Sequence, residues 1–530
     1  MPLSIHDLPI ELLPHIFRWI SPTDRKDILL AHVCGVWREA LHRTPEFWAG
    51  LLTVQGLVTT RNHQRDAELW YSFVDRTLSQ PLRLLLGGHA FHLMKAIPQH
   101  LPRITLLHVE WLRVYPKDAQ GHLLAIGPLP ALEHLQLSCV SPAPLTDFLD
   151  FDPAALVGSR LLANEHPRLR HLEVNPDFFI PSMVSASLRT LIIHKGHMSI
   201  VLLTSALANC PNLESLRLNH AYKWGVLNTL PQIDLPRLRD YFLDYSDNRY
   251  VHETPVRDIL GCIRCPSFAQ LALDIGSPNP VRVLFPNSNV SPIMRVLTRL
   301  VIQSSDDSNE KVSLSYSLLA QGFVDSDRSQ IPRLHVGVWG VNTHYPLSSI
   351  LMSLIIPSVG FPAVTDLDIL LHCGRGIPTP MTSPEWNSLL QAFPALISLT
   401  AHIASESCEE LLRGLFFGRL LPVPRLQKLA ISCTQAPRLL MNDLASMCQV
   451  RAGRGSPLRR LELRSSSLES YNRPLWPWEM EHLRRWVEEV DVRSASGGPS
   501  LAMDLRGVWL EERFRRSASR HPWALVRAGS

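Results

Sequence analysis

Cysteine is scarce in this chain. Nine are scattered through 530 residues, which suits a reducing compartment better than a disulfide framework. An excess of one charge is missing too: 52 basic and 48 acidic residues leave a formal +4. That near-balance argues against nucleic acid or an anionic membrane as partner. Long apolar runs are also lacking. The best, ILMSLIIPSVGFPAV from Ile350, is broken twice by proline and is too short to span a bilayer. The opening residues have no basic n-region and carry Asp7 and Glu11 inside their apolar stretch, so no secretory signal is expected. Cytosol or nucleus is the expected location.

Catalytic signatures are absent as well. There is no H-E-x-x-H, nucleophile elbow, phosphate-binding glycine loop or dinucleotide fingerprint. CIRC at 262–265 is the one close cysteine pair. Cys265 precedes Pro266 as Cys210 precedes Pro211, and no second pair stands nearby to complete a zinc site. Many of the 23 histidines, among them His134, His171, His194, His220 and His402, fall in or beside a recurring phrase where outward polar groups are expected. No catalytic residue, metal or cofactor is expected.

What the chain does have begins at Leu8. The stretch LPIELLPHIFRWISPTDRKDILLAHVCGVWREALHRTPEFW reads as three short helices rich in large apolar side chains. Pro9 suits a first helical turn, and Leu8, Leu12, Leu13, Ile16, Phe17 and Ile20 recur at helical spacing. SPTD offers a second start, with Ser21 as N-cap, Pro22 just inside and Asp24 in capping-box position. Ile28, Leu29, His32 and Val33 share the next face; Gly35 marks a possible break, and Val36, Trp37, Ala40 and Leu41 follow. Thr44-Pro45 looks like one more cap and helix start. Some forty residues seldom enclose such a core alone. If four or five of these side chains stay exposed, each leaves roughly 1.5–3 kcal/mol of burial unrealised. The sum is comparable with the roughly 4–15 kcal/mol that association costs. The helices therefore either dock on the rest of the chain or form a docking surface for a second protein.

These residues resemble a family. LPIELLPHIF, SPTD, HVCGVWREAL and TPEFW, in that order, are similar to the F-box, over residues 6 to about 50. The resemblance implies a three-helix module that binds the Skp adaptor of a Skp–cullin–F-box ubiquitin ligase. It assigns the adaptor contact to Leu8, Pro9, Leu12, Val33, Cys34 and Trp37. This chain departs from the pattern in a second helix about two residues longer, in RKD at 25–27, and in Gly35-Val36 where a polar or basic pair is common.

The long remainder repeats itself, and its 42 prolines punctuate it. One phrase returns as LPRITLLHV, LPALEHLQL, HPRLRHLEV, CPNLESLRL, LPRLRDYFL, CPSFAQLAL, FPAVTDLDI, FPALISLTA, VPRLQKLAI and SPLRRLEL; SLRTLII and LTRLVI are copies without the proline. Proline begins a turn, and x-L-x-x-L-x-L then puts apolar groups on one side of a short strand. One such strand cannot close a core, but a stack of them shares one. SIVLLTSALANC and SPEWNSLLQAF have helical spacing and would cover the other side. The expected unit is strand, turn, helix, at solenoid-like intervals; a β-sandwich is the rival fold.

This phrase resembles the leucine-rich repeat, over residues 81 to about 466, which implies a horseshoe with parallel strands on its concave face. The family's asparagine is replaced by Val140, Asp177, Ala221, Ser246, Thr434 and Ser466, so uneven curvature is expected. The whole chain is thus expected to be α/β: an F-box-like module at 1–51, a linking helix at 52–80, an irregular repeat array at 81–475, and a C-terminal cap with a partly ordered tail at 476–530. The outward strand positions should read a target protein, with His171, Glu173, Arg217, Asp240, Phe242, Asp244, Asp366 and Asp368 as candidates beside Thr190, His194, Arg460 and Arg464. Their mixed charge suits a protein surface. EERFRRSASR near the end reads as a solvated tail. The expected function is a noncatalytic substrate receptor that docks on the adaptor, and through it a cullin, and holds an unidentified target. The alternatives are an adaptor-binding scaffold without a role in ubiquitin transfer, or an enzyme with a site of unrecognised type.

Overall fold

The computed structural model describes residues 8–20, 22, 24–54, 63–87, 93–94, 97–111, 128–139, 166–175, 178–179, 181–194, 200–219, 231–245, 259–276, 291–306, 315–324, 332–342, 361–371, 381–416, 421–433, 438–465 and 477–494. Ser21, His220, all but Val364 and its three preceding residues of the apolar run from Ile350, the six positions taken by Val140, Asp177, Ala221, Ser246, Thr434 and Ser466, and the basic C-terminal cluster lie outside them. The architecture is mixed α/β, in two compact units, one on the chain up to Met198 and one from Pro211 to Ser500, with the short stretch between divided among them.

Every recurring phrase coincides with a strand, and the reason lies in its first four residues. In x-P-x-L the carbonyl of x accepts the N–H of Leu: Leu129 from Leu132 at 3.0 Å, His166 from Leu169 at 3.1 Å, Phe393 from Leu396 at 3.1 Å, Val423 from Leu426 at 3.2 Å. This is a β-turn with proline at its second position, where the fixed φ is already correct. Ser185 to Leu188 makes the same turn without proline, at 3.0 Å. The next N–H then bonds to the preceding phrase: Arg170 N to Glu133 O at 2.9 Å, Arg189 N to Arg170 O at 2.8 Å, Gln427 N to Ile397 O at 2.8 Å, Arg459 N to Gln427 O at 2.8 Å. The turn thus ends with the chain already attached to its neighbour.

In the first unit β1 (Leu82–Gly87), β2 (Ile104–Trp111), β3 (His134–Cys139), β4 (His171–Val174) and β5 (Thr190–Ile193) pair in parallel, each with the next. Before them come α1 (Leu12–Trp19), a 3₁₀ helix (Arg25–His32), α2 (Gly35–His42), α3 (Pro45–Leu51) and α4 (His63–Arg76). The helix expected from SIVLLTSALANC is α5 (Ile200–Leu207).

The second unit holds β6 (Ser215–Asn219), the short pair β7 (Ile233–Asp234) and β9 (Ile263–Arg264), β8 (Asp240–Tyr245) and β10 (Gln270–Gly276). After α6 (Ser291–Met294) come β11 (Arg299–Asp306), β12 (Ser315–Phe323), β13 (Leu334–Asn342) and β14 (Asp366–Leu370). The series closes with α7 (Ser383–Gln391), β15 (Ser398–His402), α8 (Ser405–Phe416), β16 (Lys428–Cys433), α9 (Arg438–Gly453), β17 (Arg460–Ser465), α10 (Pro477–Arg484) and β18 (Glu489–Ser494).

The expectation of strands parallel throughout is corrected here. β12 runs antiparallel to both β11 and β13, so β13 lies beside β10 while β11 lies beside β14. Fewer than a dozen residues join β11 to β12 and β12 to β13, too few for a parallel crossover. β13 follows Pro332-Arg333 and alternates as LHVGV, with Leu334 opposite Leu271; it is a strand absent from the phrases read in the sequence.

Apolar phrase positions are sealed. Leu396, Leu399 and Ala401, Leu426, Leu429 and Ile431, and Leu458, Leu461 and Leu463 are all buried. On the helical side Thr382 and Glu385 form a capping box that starts α7, and the Ser383 N–H donates to Glu410 of α8 at 2.7 Å. Arg413 of α8 reaches Glu410 at 3.0 Å and Asp443 of α9 at 3.3 Å, tying three successive helices. Arg451 of α9 is fully buried and donates to the turn carbonyls of Val423 and Leu426, at 3.0 and 3.2 Å. Burial pulls its pKa down to about 10, so it stays cationic at neutral pH.

Leu399→Ala, at the centre of this stack, is expected to destabilise the second unit by about 3 kcal/mol through the cavity it leaves. Ile397→Ala, whose side chain is 39% exposed, should cost less than about 0.5 kcal/mol. Urea denaturation of both variants checks the contrast.

Candidate functional site

The N-terminal helices have two different sides. Inward, Leu13 and Phe17 of α1 are buried, and the Phe17 ring meets Trp37 edge-on at 5.2 Å. Trp48 is the main bolt. Its Nε1 donates to Leu41 O at 2.8 Å, its ring stacks on Phe73 of α4 at 5.3 Å, and the Arg76 guanidinium lies 4.7 Å from its centroid. Leu85 of β1 donates its N–H to Leu52 O at 3.3 Å, joining the end of the helical stretch to the sheet. Gly50 permits the close fit: a Cβ there would stand 2.7 Å from Pro22 Cδ. One side of this segment therefore does dock on its own chain.

The other side does not. Leu8, Ile10, Leu12, Ile16, Trp19, Leu29, Val33 and Val36 are exposed, Trp19 by 88%, Leu29 by 59% and Val33 by 53%. Within the described residues the remaining large exposed apolar side chains (Leu78, Val201, Phe268 and Ile397) are scattered singly. Nearby charges satisfy one another: Arg18 with Glu46 at 3.4 Å, Arg43 with Glu39 at 2.5 Å. Glu11 and Lys26 are exposed among these side chains as well, so the patch is mainly apolar with single charges within it.

Of the six residues assigned to an adaptor contact, Leu8, Pro9, Leu12 and Val33 are exposed on this side. Cys34 and Trp37 are half-buried. Cys34 Sγ accepts the Trp37 N–H at 3.4 Å as the N-cap of α2, and Trp37 packs on Phe17, so both also serve the inner packing. Ile16, Trp19, Leu29 and Val36 were missing from that set. Ile16 and Trp19 lie four and seven residues after Leu12, a spacing that could have revealed them. Two local readings change. The second element is a 3₁₀ helix, and its capping box is Asp24 with Asp27: the Asp24 N–H donates to Asp27 Oδ2 at 3.0 Å. The cap therefore falls three residues beyond Ser21.

The outward strand positions are less free than the sequence suggested. In the first unit His171 is only 8% exposed. Glu173 beside it accepts from Gln136 Nε2 at 2.9 Å, has His194 Nε2 2.7 Å from Oε1, and has His171 Nε2 3.7 Å from Oε2. Burial alone would push the Glu173 carboxyl up. The hydrogen bonds and charges of His171 and His194 outweigh it and hold the group well below the usual carboxylate range. In the second unit Phe242 is buried at 7% exposure, against expectation, because the Arg217 guanidinium lies over its ring at 5.2 Å. Asp240 and Asp244 are half-buried. Asp366 accepts from Thr365 Oγ1 at 2.8 Å, and Asp368 takes a two-pronged contact from Arg299, at 3.0 and 2.6 Å. Farther along, Lys428, Arg460 and Arg464 surround Glu462 at 3.3, 2.8 and 3.3 Å. Alternating polar positions became clusters of pairs within and between strands (Gln136–Glu173, Arg299–Asp368 and Lys428–Glu462 run between them), contacts that strand alternation alone does not predict.

Cys262 and Cys265 are both buried, and burial pushes the Cys265 thiol up to about 12, an environment for an inert thiol. No group of three or more His, Cys, Asp or Glu among the described residues is placed to hold a metal ion. Within the same residues no helix is long and apolar enough to cross a membrane. The chain matches no protein-family model, and comparison with curated proteins gives no match.

Glu173→Gln should lower the stability of the first unit by about 2 kcal/mol at neutral pH, the worth of a buried charge-assisted cluster. Because the folded carboxyl titrates below its ordinary value of 4.5, its contribution is complete above that value and is lost as the pH falls below it. Urea midpoints of the two proteins should therefore differ at pH 7 and converge in acid.

Proposed function

We propose that this chain is a substrate-receptor subunit of a Skp–cullin–F-box type ubiquitin ligase, with an F-box-like N-terminal module and a leucine-rich-repeat-like solenoid. The helices of residues 8–42 dock on the adaptor, and the outward strand faces bind the target protein. The single observation that carries this reading is the apolar patch of Leu8, Leu12, Ile16, Trp19, Leu29, Val33 and Val36, left open while the opposite side of the same helices is locked by Trp48. A patch of this kind on one side of a small, anchored helical module fits a protein partner, and the motif resemblance supplies which partner. The mechanism is tethering. Two binding faces on one chain raise the effective concentration of the target beside the charged ubiquitin, and no residue of this chain breaks or makes a bond.

The mixed, internally paired charges on the strand faces (Glu173 with two histidines, Asp368 with Arg299, Glu462 with three cations) support a protein target over a polyanion. The test uses surface substitutions. Removing residues 1–50 would strip Trp48 from Phe73 and Arg76 and so disturb the first unit as well. Ile16→Glu with Val33→Glu should leave the unfolding midpoint unchanged and weaken capture of a Skp adaptor by about 3 kcal/mol, roughly a hundredfold. Adaptor recovered equally with the double variant and the parent would sink the assignment. Adaptor recovered without cullin would favour a scaffold role.

A further inference from the structure

The chain holds seven lysines against 45 arginines, although lysine is normally among the commonest residues of a soluble protein. Some arginines need a guanidinium. Arg299 grips Asp368 with two nitrogens, Arg451 holds two turn carbonyls, and Arg103 contacts Gln80 O, Thr77 Oγ1 and His100. A point-charge ammonium would not replace them. Others have no such need. Arg168, Arg170, Arg237, Arg239, Arg425 and Arg459 are exposed, in or just after the phrase turns, and their side chains make no hydrogen bond or ion pair among the described residues. A lysine would give the same charge there and would be hydrated at least as strongly, so neither fold nor solubility accounts for the choice.

The two lysines among the described residues are both occupied by position. Lys26 and Leu29 stand three apart on the 3₁₀ helix, hence on one side, and Leu29 belongs to the exposed apolar patch. Lys428 lies on the outward strand face with Nζ 3.3 Å from Glu462 Oε1. Lys95, Lys117, Lys195, Lys223 and Lys311 lie outside the described residues.

We infer that the lysine depletion protects the chain from ubiquitin transfer to itself: exposed cationic positions are filled by a residue that cannot accept ubiquitin. The inference rests on the receptor reading above. In the transfer step an uncharged lysine Nζ attacks the ubiquitin C-terminal thioester carbonyl. A C–N isopeptide bond forms, the C–S bond breaks, the thiolate leaves with the electron pair and the amine gives up a proton. Arginine stays protonated with its lone pair delocalised over the guanidinium, and it cannot make that attack. A receptor that tethers targets beside charged ubiquitin is itself held close to it. Removing amines from its surface leaves the target's lysines as the principal acceptors. Lys26 would be covered by the bound adaptor, and Lys428 by the bound target.

The experiment compares the full chain with a variant carrying Arg168→Lys, Arg170→Lys, Arg237→Lys, Arg239→Lys, Arg425→Lys and Arg459→Lys. Both are assembled with adaptor, cullin and RING subunit and supplied with activating and conjugating enzymes, ATP and ubiquitin. Both should show the same unfolding midpoint and capture the adaptor equally. Self-modification of the variant should rise several-fold, with the new linkages mapped to the introduced lysines. Equal adaptor capture with equal self-modification, or modification confined to the original seven lysines, overturns the inference and leaves the receptor reading standing. Failure of both chains to capture adaptor overturns the two together.

Discussion

A short strand with one apolar side cannot close a core by itself, and the rest of this structure follows from that constraint. Each phrase offers two or three apolar groups to the interior, too few to hold one strand against its loss of chain entropy. The remedy is attachment. The x-P-x-L turn aims the chain, the following N–H bonds to the preceding phrase, and a parallel ladder then shares one core among many strands. Helices such as α7, α8 and α9 join through the Ser383–Glu410–Arg413–Asp443 chain of contacts. Arg451 ties helix to turn by donating from a buried position to the carbonyls of Val423 and Leu426. Where the connection is too short to cross the sheet, at β11–β12–β13, the chain reverses and parallel pairing resumes on either side.

The N-terminal helices obey the same rule with a different outcome. Their inner side finds partners in α4 and β1 through Trp48, Phe73 and Leu52. Helices this short have room for little more than one buried stripe each, so Leu12, Ile16 and Trp19 face away while Leu13 and Phe17 face in. Eight exposed apolar side chains outnumber the charges among them, which makes the patch suited to apolar burial more than to electrostatic steering.

The outward strand faces carry their polarity in clusters. Glu173 draws His171, His194 and Gln136 around it, and Glu462 draws Lys428, Arg460 and Arg464. Such clusters stiffen the surface on which a target would rest. They also mean that a residue's outward position in the phrase is a poor guide to its availability, as Phe242 under Arg217 illustrates.

Sequence by itself determined the strands that follow a phrase, because x-P-x-L followed by alternating apolar residues states a turn and a face in local terms; β12 and β13, outside those phrases, it did not. It also determined the existence of an apolar helical N-terminus, since periodicity is a property of neighbours along the chain. Three things waited for tertiary structure. Which apolar residues of residues 8–36 stay exposed depended on where Trp48 found its stacking partner, twenty-five residues away in α4. The inversion at β12 depended on pairing between strands rather than on any strand's own pattern. The fate of His171, Glu173, Phe242 and Asp368 depended on cross-strand neighbours 21 to 69 residues distant. Local chemistry is written in the order of residues, whereas burial is a relation among residues that only folding brings together.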